Sequence, residues 1–520
     1  MSNQAHDHVH RLIRSMSPSE KRYFKLYSVR HRPTGGGNHD LLFNAIAAME
    51  QYDESLLLNR FKDKGFVARF PIAKRRLYEA VLRSLAAYHA ESSVDARLRR
   101  QMHEVEILFQ RALYEDADKL LHGAVKLAEH YERPHILVEA QQWRRKLIER
   151  SNYAGTTRTD LMTARAEAGR LRELFAEVDA LWALKSDILL TLYQRGPARS
   201  AEQIQEIKRS MDQPVARGEV PHRSAKARFL FNHLHGVAAF AMGDLEGCHE
   251  HLARNRVLLI TERDRFLDEP NLALSVLSNL TYVCARTGRF EAGKQHLQEF
   301  QRAPSEWCMP ENEDLDLKLF ATSYSLELTL HTQLGDFDKA KALIPQVERG
   351  LLRHGNSLGA LRKAGFHYQV AYTCLGIGDL GGASRWCHRL LNEVRVDEHE
   401  ELVCFTRMLD LLVRIESGDH ALLSYALRNT ERYLRGKAHA HRYEDLFLDL
   451  VRSLRKARNA EATRGAFEHF RTGLLPLEND PLERSVFDHL DPIAWAESKL
   501  TGRPFAVLVR ERALRSARAA

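Results

Sequence analysis

The chain has 520 residues, 44% of them hydrophobic and 28% charged, with 15 prolines, six cysteines and a formal net charge of +8. That length exceeds what one compact core organises, so the chain is either several domains or a solenoid whose units bury their faces against one another. No 18 apolar residues run together, and the opening MSNQAHDHVHRLIRSM has no continuous apolar core; neither a membrane span nor a secretory leader is expected, and the expected location is the cytoplasm.

The first predicted element begins at Ser17-Pro18-Ser19-Glu20, a capping box with proline at the first helical position, and runs through EKRYFKLYSVR. The stretch RHRPTGGGNHD ends it, because three consecutive glycines cannot hold a helix. Helices are predicted near Leu41–Tyr52 and Leu56–Lys62, then a longer one from Pro71. On that last helix the reading places Ile72, Leu77, Val81, Leu82, Leu85 and Tyr88 on the buried side, with Arg76, Glu79 and Arg83 opposite. Together these elements make a basic helical head, residues 1–92.

From residue 93 to 472 a turn signature recurs: glycine, usually aspartate, an apolar residue, and a small residue five after the glycine. Its instances are Gly243-Asp244-Leu245 with Cys248, Gly288-Arg289-Phe290 with Gly293, Gly335-Asp336-Phe337 with Ala340, Gly378-Asp379-Leu380 with Ala383, and a weaker Gly418-Asp419-His420. The glycines are 45, 47, 43 and 40 residues apart. Earlier phases fall at Ala112 with Ala117, Gly155 with a poorly fitting Asp160, and Gly196 with Ala201; a later one falls at Ala460 with Gly465. A repeat of about 44 residues marks stacked helical hairpins. Glycine at positive φ ends the first helix, aspartate caps the second, and the small residue lets the two approach. Segments such as EVEILFQRAL and LALSVLSNLTYVCA space their apolar residues near 3.6, so the fold class is all-α. Irregular loops are expected at Gln194–Ser200, Arg217–Arg223 and Ala303–Asp314, the last protruding. Residues 473–520 hold one or two further helices that cap the array and end in a basic tail.

The G-D-[LF]-x-x-A turn resembles that of tetratricopeptide repeats, over roughly residues 100–465. The resemblance implies a right-handed superhelix of hairpins with small helical caps at both ends. That family's unit is about 34 residues, so the helices here should each be about a turn longer, and the family's peptide-binding positions do not transfer. Two further segments, SPSEKRYFKLY and the run from Asp491 to Lys499 (Asp491, Trp495, Ser498, Lys499), resemble uncharacterised bacterial tetratricopeptide-like proteins with S-E-K-R-Y-F and D-x-x-x-W-x-x-S-K signatures. This second resemblance implies a fold and a bacterial cytoplasm, and no activity.

Chemistry has little foothold. There is no G-x-S-x-G and no local Cys–His signature. The cysteines (248, 284, 308, 374, 387 and 404) form no C-x-x-C pair and read as small core residues in a reducing compartment. Histidines pair two apart at His6/His8/His10, His233/His235, His249/His251 and His439/His441, which on a helix point to different faces and chelate poorly. Gly288 to Gly293-Lys294 nearly spells a phosphate-binding loop, but Gln295 stands where Ser or Thr would hold magnesium. Trp143, Trp182, Trp307, Trp386 and Trp495 read as interhelical packing. No catalytic residue, metal or cofactor is therefore expected, and no enzyme.

Residues 1–100 carry 18 Lys and Arg against 10 Asp and Glu, and residues 503–520 carry five against one, leaving the span between slightly acidic. Lys21, Arg22, Lys25, Lys74, Arg75 and Arg76 form the candidate basic contact patch, interleaved with Tyr23, Phe24 and Tyr27. It reads as a solvated face, a protein contact, or a nucleic-acid contact. The expected function is a non-catalytic scaffold that holds a protein or peptide segment in a concave groove lined by the first helix of each hairpin. The alternative is a nucleic-acid-associated regulator that uses the basic head, with the array as sensor.

Overall fold

The computed structural model describes residues 8–30, 38–198, 200–219, 222–355, 357–393, 400–435, 441–480, 483 and 485–519. The glycine run at 35–37, His6 and His439 lie outside them. Among the described residues every extended element is a helix and no strand occurs. No helix there is long and apolar enough to cross a membrane. The chain divides into two compact units, one up to Arg172 and one from Glu173.

The first unit opens with α1 (His8–Ser15), α2 (Pro18–Arg30), α3 (Asn38–Ala47), α4 (Glu54–Arg60) and α5 (Phe70–Tyr88). The capping box forms: the Ser17 N–H donates to Glu20 at 2.6 Å, and the Glu20 N–H donates to the Ser17 hydroxyl at 3.2 Å. The sequence reading places no helix before Pro18. Yet α1 forms, because Val9 and Ile13 reach the core and His10 Nε2 bonds the Met49 carbonyl at 3.0 Å. On α5 the buried stripe is Phe70, Leu77, Val81 and Ser84, while Ile72 and Leu82 are 48% and 41% exposed. At about 100° per residue, those two point away from the Leu77–Val81 side, which corrects the face read from sequence. The unit continues with α6 (Val94–Gln110), α7 (Tyr114–His130) and α8 (Pro134–Arg150), packed in sequence order.

Helix α9 (Arg158–Arg195) spans 38 residues, and the boundary between the units falls inside it. Gly155 and Gly196 flank it at φ +72° and +76°. It thus runs unbroken where the sequence register asks for two helices and a turn. The reason is local: from Arg170 to Arg195 there is neither glycine nor proline to interrupt it.

The second unit continues with α10 (Ala201–Ser210), α11 (Ala225–Ala241), α12 (Leu245–Thr261), α13 (Asn271–Arg286) and α14 (Phe290–Glu306). Next come α15 (Glu313–Gln333), α16 (Phe337–His354), α17 (Ala360–Gly376), α18 (Leu380–Glu393), α19 (Glu400–Ser417) and α20 (His420–Arg435). It ends with α21 (Arg442–Lys456), α22 (Ala460–Leu474), α23 (Ser485–His489), α24 (Pro492–Thr501) and α25 (Phe505–Ala519). Sequence neighbours pack together, most extensively α11 with α12, α13 with α14 and α17 with α18. Residues 303–306 belong to α14, with Pro304 in its last turn, so the expected protruding loop shrinks to 307–312. Trp307 closes it by packing under the Arg263 guanidinium, 5.0 Å from its ring centre.

The turns behave as capping physics requires. Gly243, Gly288, Gly335, Gly378 and Gly418 adopt φ between +66° and +81°. After the first four, the next N–H donates to the carbonyl five residues back, as from Asp244 to Ala239 at 2.8 Å and Asp379 to Cys374 at 2.9 Å. Asp244, Asp379 and Asp419 accept from the backbone of Gly247, Gly382 and Leu422. Asp336 makes no such cap; its carboxylate pairs with Arg510 and Lys339 instead. Ala460 hosts no turn and is the first residue of α22, capped by Asn459. Replacing Asp379 by alanine should cost about 1 kcal/mol in urea unfolding, and by asparagine much less, since asparagine keeps the cap. Equal losses for the two would mean that the cap is not the source of the stability.

Successive hairpins are tied by ion pairs 43 residues apart: Lys226–Glu269, Glu246–Arg289 and Arg256–Glu299. Each contributes modestly in energy, but together they fix the register. The last three helices return to the middle of this unit. Tyr368 donates to the His489 carbonyl, Asp491 N–H donates to the Tyr372 hydroxyl, and Phe505 packs on Phe337. The C-terminal segment therefore does more than cap the last hairpin.

Candidate functional site

In the second unit a cleft of about 700 Å³ opens along the first helices of successive hairpins. Helix α11 offers it His233, Gly236, Val237 and Phe240; α13 offers Ser275, Ser278, Asn279, Tyr282 and Arg286. Both sets follow the i, i+3, i+4, i+7 pattern of one helix face. The opposite face of α13 is core, with Leu274, Leu280, Thr281 and Cys284 fully buried. Each helix thus anchors by one stripe and leaves another to the cleft. Leu189, Leu192 and Tyr193 at the end of α9, together with Leu252 on α12, extend an apolar wall. The facing wall adds Lys318 and Thr322 of α15, Arg362 of α17 and His489 of α23.

No carboxylate lines the cleft among the described residues. Lys318 Nζ donates to the Asn271 side chain at 3.0 Å, and Arg286 donates to the Tyr282 hydroxyl at 2.5 Å. Burial holds Lys318 below its usual range; Asp314 pulls upward, and Arg362 adds to the lowering. Burial, then Lys185 and Lys226, push His233 down to about 4, so its imidazole is neutral near pH 7. Lys185 is likewise lowered by burial and by Lys226. A smaller recess of about 410 Å³ lies beside Arg286, Tyr372 and Arg512. Its charges are answered internally, because Arg512 binds Asp491 at 2.8 Å and Glu478 at 2.6 Å.

The sequence-derived basic patch is divided. Glu20 at the start of α2 meets His89 at the end of α5 at 2.5 Å, which puts Lys21 and Arg22 near that end. Lys74, Arg75 and Arg76 lie in the first turns of α5, roughly 20 Å away at 1.5 Å per residue. Lys74 pairs with Glu54 at 2.5 Å and sits over the Tyr52 and Phe70 rings, and Arg75 pairs with Glu79 at 3.0 Å. Arg22, Lys25 and Arg76 are exposed. Phe24 is buried against Phe43, and Tyr23 packs on Tyr88 and Tyr27.

Gly288 to Lys294 forms the α13–α14 turn, where Lys294 pairs with Glu291. Cys248, Cys284, Cys374, Cys387 and Cys404 are buried and Cys308 is exposed, all as free thiols. Burial pushes Cys248 up to about 12 and Cys284 and Cys374 to about 11, which keeps them protonated. Among the described residues no three His, Cys, Asp or Glu side chains gather as metal ligands. The sequence analysis expects a groove along the first helices but names none of the residues that line this cleft; the polar stripe of α13 is their one visible signal. No family model, no curated protein and no solved structure matches the chain.

Proposed function

We propose that the protein is a non-catalytic scaffold whose hairpins stack as a right-handed superhelix and hold a protein segment along the first helices. The ion pairs at a constant 43-residue separation and the recurring positive-φ turns support a regular stack. The cleft carries the reading: helices α11, α13, α15 and α17 each present side chains to it. The nucleic-acid reading rests on Lys21, Arg22, Lys25 and Arg76 alone, since Lys74 and Arg75 are already paired.

A photo-crosslinking residue placed at Asn279, exposed inside the cleft, should give one predominant protein adduct in native lysate, with or without nuclease. The same residue at Met162, 68% exposed in the first unit, should give none in common with it. Identical adducts from both positions, or none from Asn279, would sink the scaffold reading. Loss of the adduct on nuclease treatment would favour the nucleic-acid reading.

A further inference from the structure

We propose that α2 is a membrane-contact helix: its outer face, Arg22, Lys25, Leu26, Val29 and Arg30, lies on the anionic headgroups of a lipid bilayer and sets Leu26 and Val29 into the interface. This goes beyond the scaffold reading and does not rest on it. No described helix is long and apolar enough to cross a bilayer, so the contact is a peripheral one.

Helix α2 has two unlike sides. On the inner side Phe24 is fully buried against Phe43, and α2 packs chiefly on α5 and α3. On the outer side Arg22, Lys25, Leu26 and Val29 fall at i, i+3, i+4 and i+7, one face of a helix, and Arg30 follows Leu26 by a turn. All five are exposed, Leu26 by 59% and Val29 by 57%. The one acid of α2, Glu20, is turned instead to His89 at 2.5 Å and to the Ser17 N–H at 2.6 Å. Among the described residues Arg22, Lys25 and Arg30 enter no ion pair. Other exposed helix faces of this chain mix the two signs, as with Arg100 and Glu104 on α6, Glu250 and Arg254 on α12, and Arg464 and Glu468 on α22. Two more exposed cations stand near the C-terminal end of α2. Arg76 and Arg83 of α5 both act on His39 of α3, and Ser28 of α2 donates to the neighbouring Asp40 at 2.6 Å.

Cations and aliphatics without a carboxylate complement a surface that is anionic outside and apolar just beneath. A nucleic acid would satisfy the cations and leave Leu26 and Val29 in water. The rings that could stack on bases are turned elsewhere: Phe24 is core, and Tyr23 packs on Tyr88 and Tyr27. A peptide is captured in a groove, whereas this face is the ridge of a single helix whose neighbours lie behind it.

The test is co-sedimentation of the full chain with vesicles of phosphatidylcholine alone, or with about 30% phosphatidylserine added. The phosphatidylserine vesicles should bind at least about tenfold more tightly, and the excess should vanish as salt rises. Arg22→Glu combined with Lys25→Glu should remove that excess, and Arg22→Gln with Lys25→Gln should fall between. Lys126→Glu, exposed on α7, should change nothing. Leu26→Ser combined with Val29→Ser keeps every cation and should still weaken binding by about fivefold or more. All these positions are exposed, so the variants should fold, which circular dichroism and the urea midpoint check. Equal binding to both vesicles, or a charge-reversed chain that binds as the native one does, would overturn the proposal. Unchanged binding of the Leu26/Val29 variant, or release by inorganic phosphate at the concentration of the lipid, would overturn it in favour of a general anion contact. The Asn279 crosslink, in the other unit, reports on the scaffold separately.

Discussion

Replacing Trp495 by alanine is expected to destabilise the second unit by about 3–5 kcal/mol and to free α23–α25 from the array. The indole is 1% exposed and meets Phe467 and Phe470 of α22 edge-on, at 5.4 and 6.3 Å between ring centres. Its Nε1 donates to Glu416 at 2.6 Å, and Lys499 reaches the other oxygen of the same carboxylate at 2.6 Å. One acidic residue of α19 thus gathers two side chains of α24. Alanine leaves a large void and strips Glu416 of a donor, two penalties that add because the surrounding helices cannot collapse into the space. Phenylalanine at the same position keeps most of the packing and loses only the hydrogen bond, so its cost should be about 1–2 kcal/mol. Amide exchange across 485–519 and urea unfolding read the two effects together. A loss below about 1 kcal/mol for the alanine variant would mean that α24 is held by something other than this side chain.

That site also shows how the D-x-x-x-W-x-x-S-K run is used. Asp491 caps α24 by accepting from Ala494 at 2.8 Å, and Ser498 donates to the Trp495 carbonyl at 2.6 Å. Asp491, Trp495 and Lys499 are spaced i, i+4, i+8 along one side of the helix. The spacing was visible in the sequence, but the acceptor was not: Glu416 lies 79 residues before Trp495, and no local pattern points to it. The hairpin turns were legible for the opposite reason. A glycine at positive φ, an aspartate cap and a small residue are all met within six positions, and Ala340 and Ala383 are fully buried as the close approach requires. Helix α9 escaped the register because good helix formers continue through the position where a turn was due. The lining of the cleft escaped it because Ser275, Asn279 and Arg286 look, one by one, like any solvated helix face. Only the placement of α15 and α17 beside α13 turns that stripe into a wall. The basic patch joins residues about 50 positions apart in sequence, and the structure spreads it along α5, with Lys21 and Arg22 near its last turn and Lys74, Arg75 and Arg76 in its first turns.

Gly335→Ala is expected to cost more than Gly378→Ala, and the difference measures how closely the C-terminal helix sits on the array. Both glycines hold left-handed backbone, φ +75° and +81°, so alanine at either pays the same conformational penalty of about 1–2 kcal/mol. Around Gly378 an added Cβ would meet nothing within 4 Å. At Gly335 it would meet the Ala506 carbonyl oxygen and the Arg510 nitrogen, each at 2.7 Å. Those are backbone atoms of α25 and cannot step aside as a flexible side chain would, so the helix as a whole must withdraw. Withdrawal pulls Arg510 from Asp336 and Phe505 from Phe337, the contacts that seat α25 on this turn. The excess cost at Gly335 should be about 1–3 kcal/mol, the usual range for overpacking a tight contact. Faster amide exchange should follow in α25 for Gly335→Ala and not for Gly378→Ala. This also explains why Asp336 forgoes the cap that Asp244 and Asp379 make: its carboxylate faces a cation from a distant helix that the other turns do not meet. Equal costs at the two glycines, with α25 exchange unchanged, would show that the helix rests elsewhere and that Asp336 lacks its cap for a different reason.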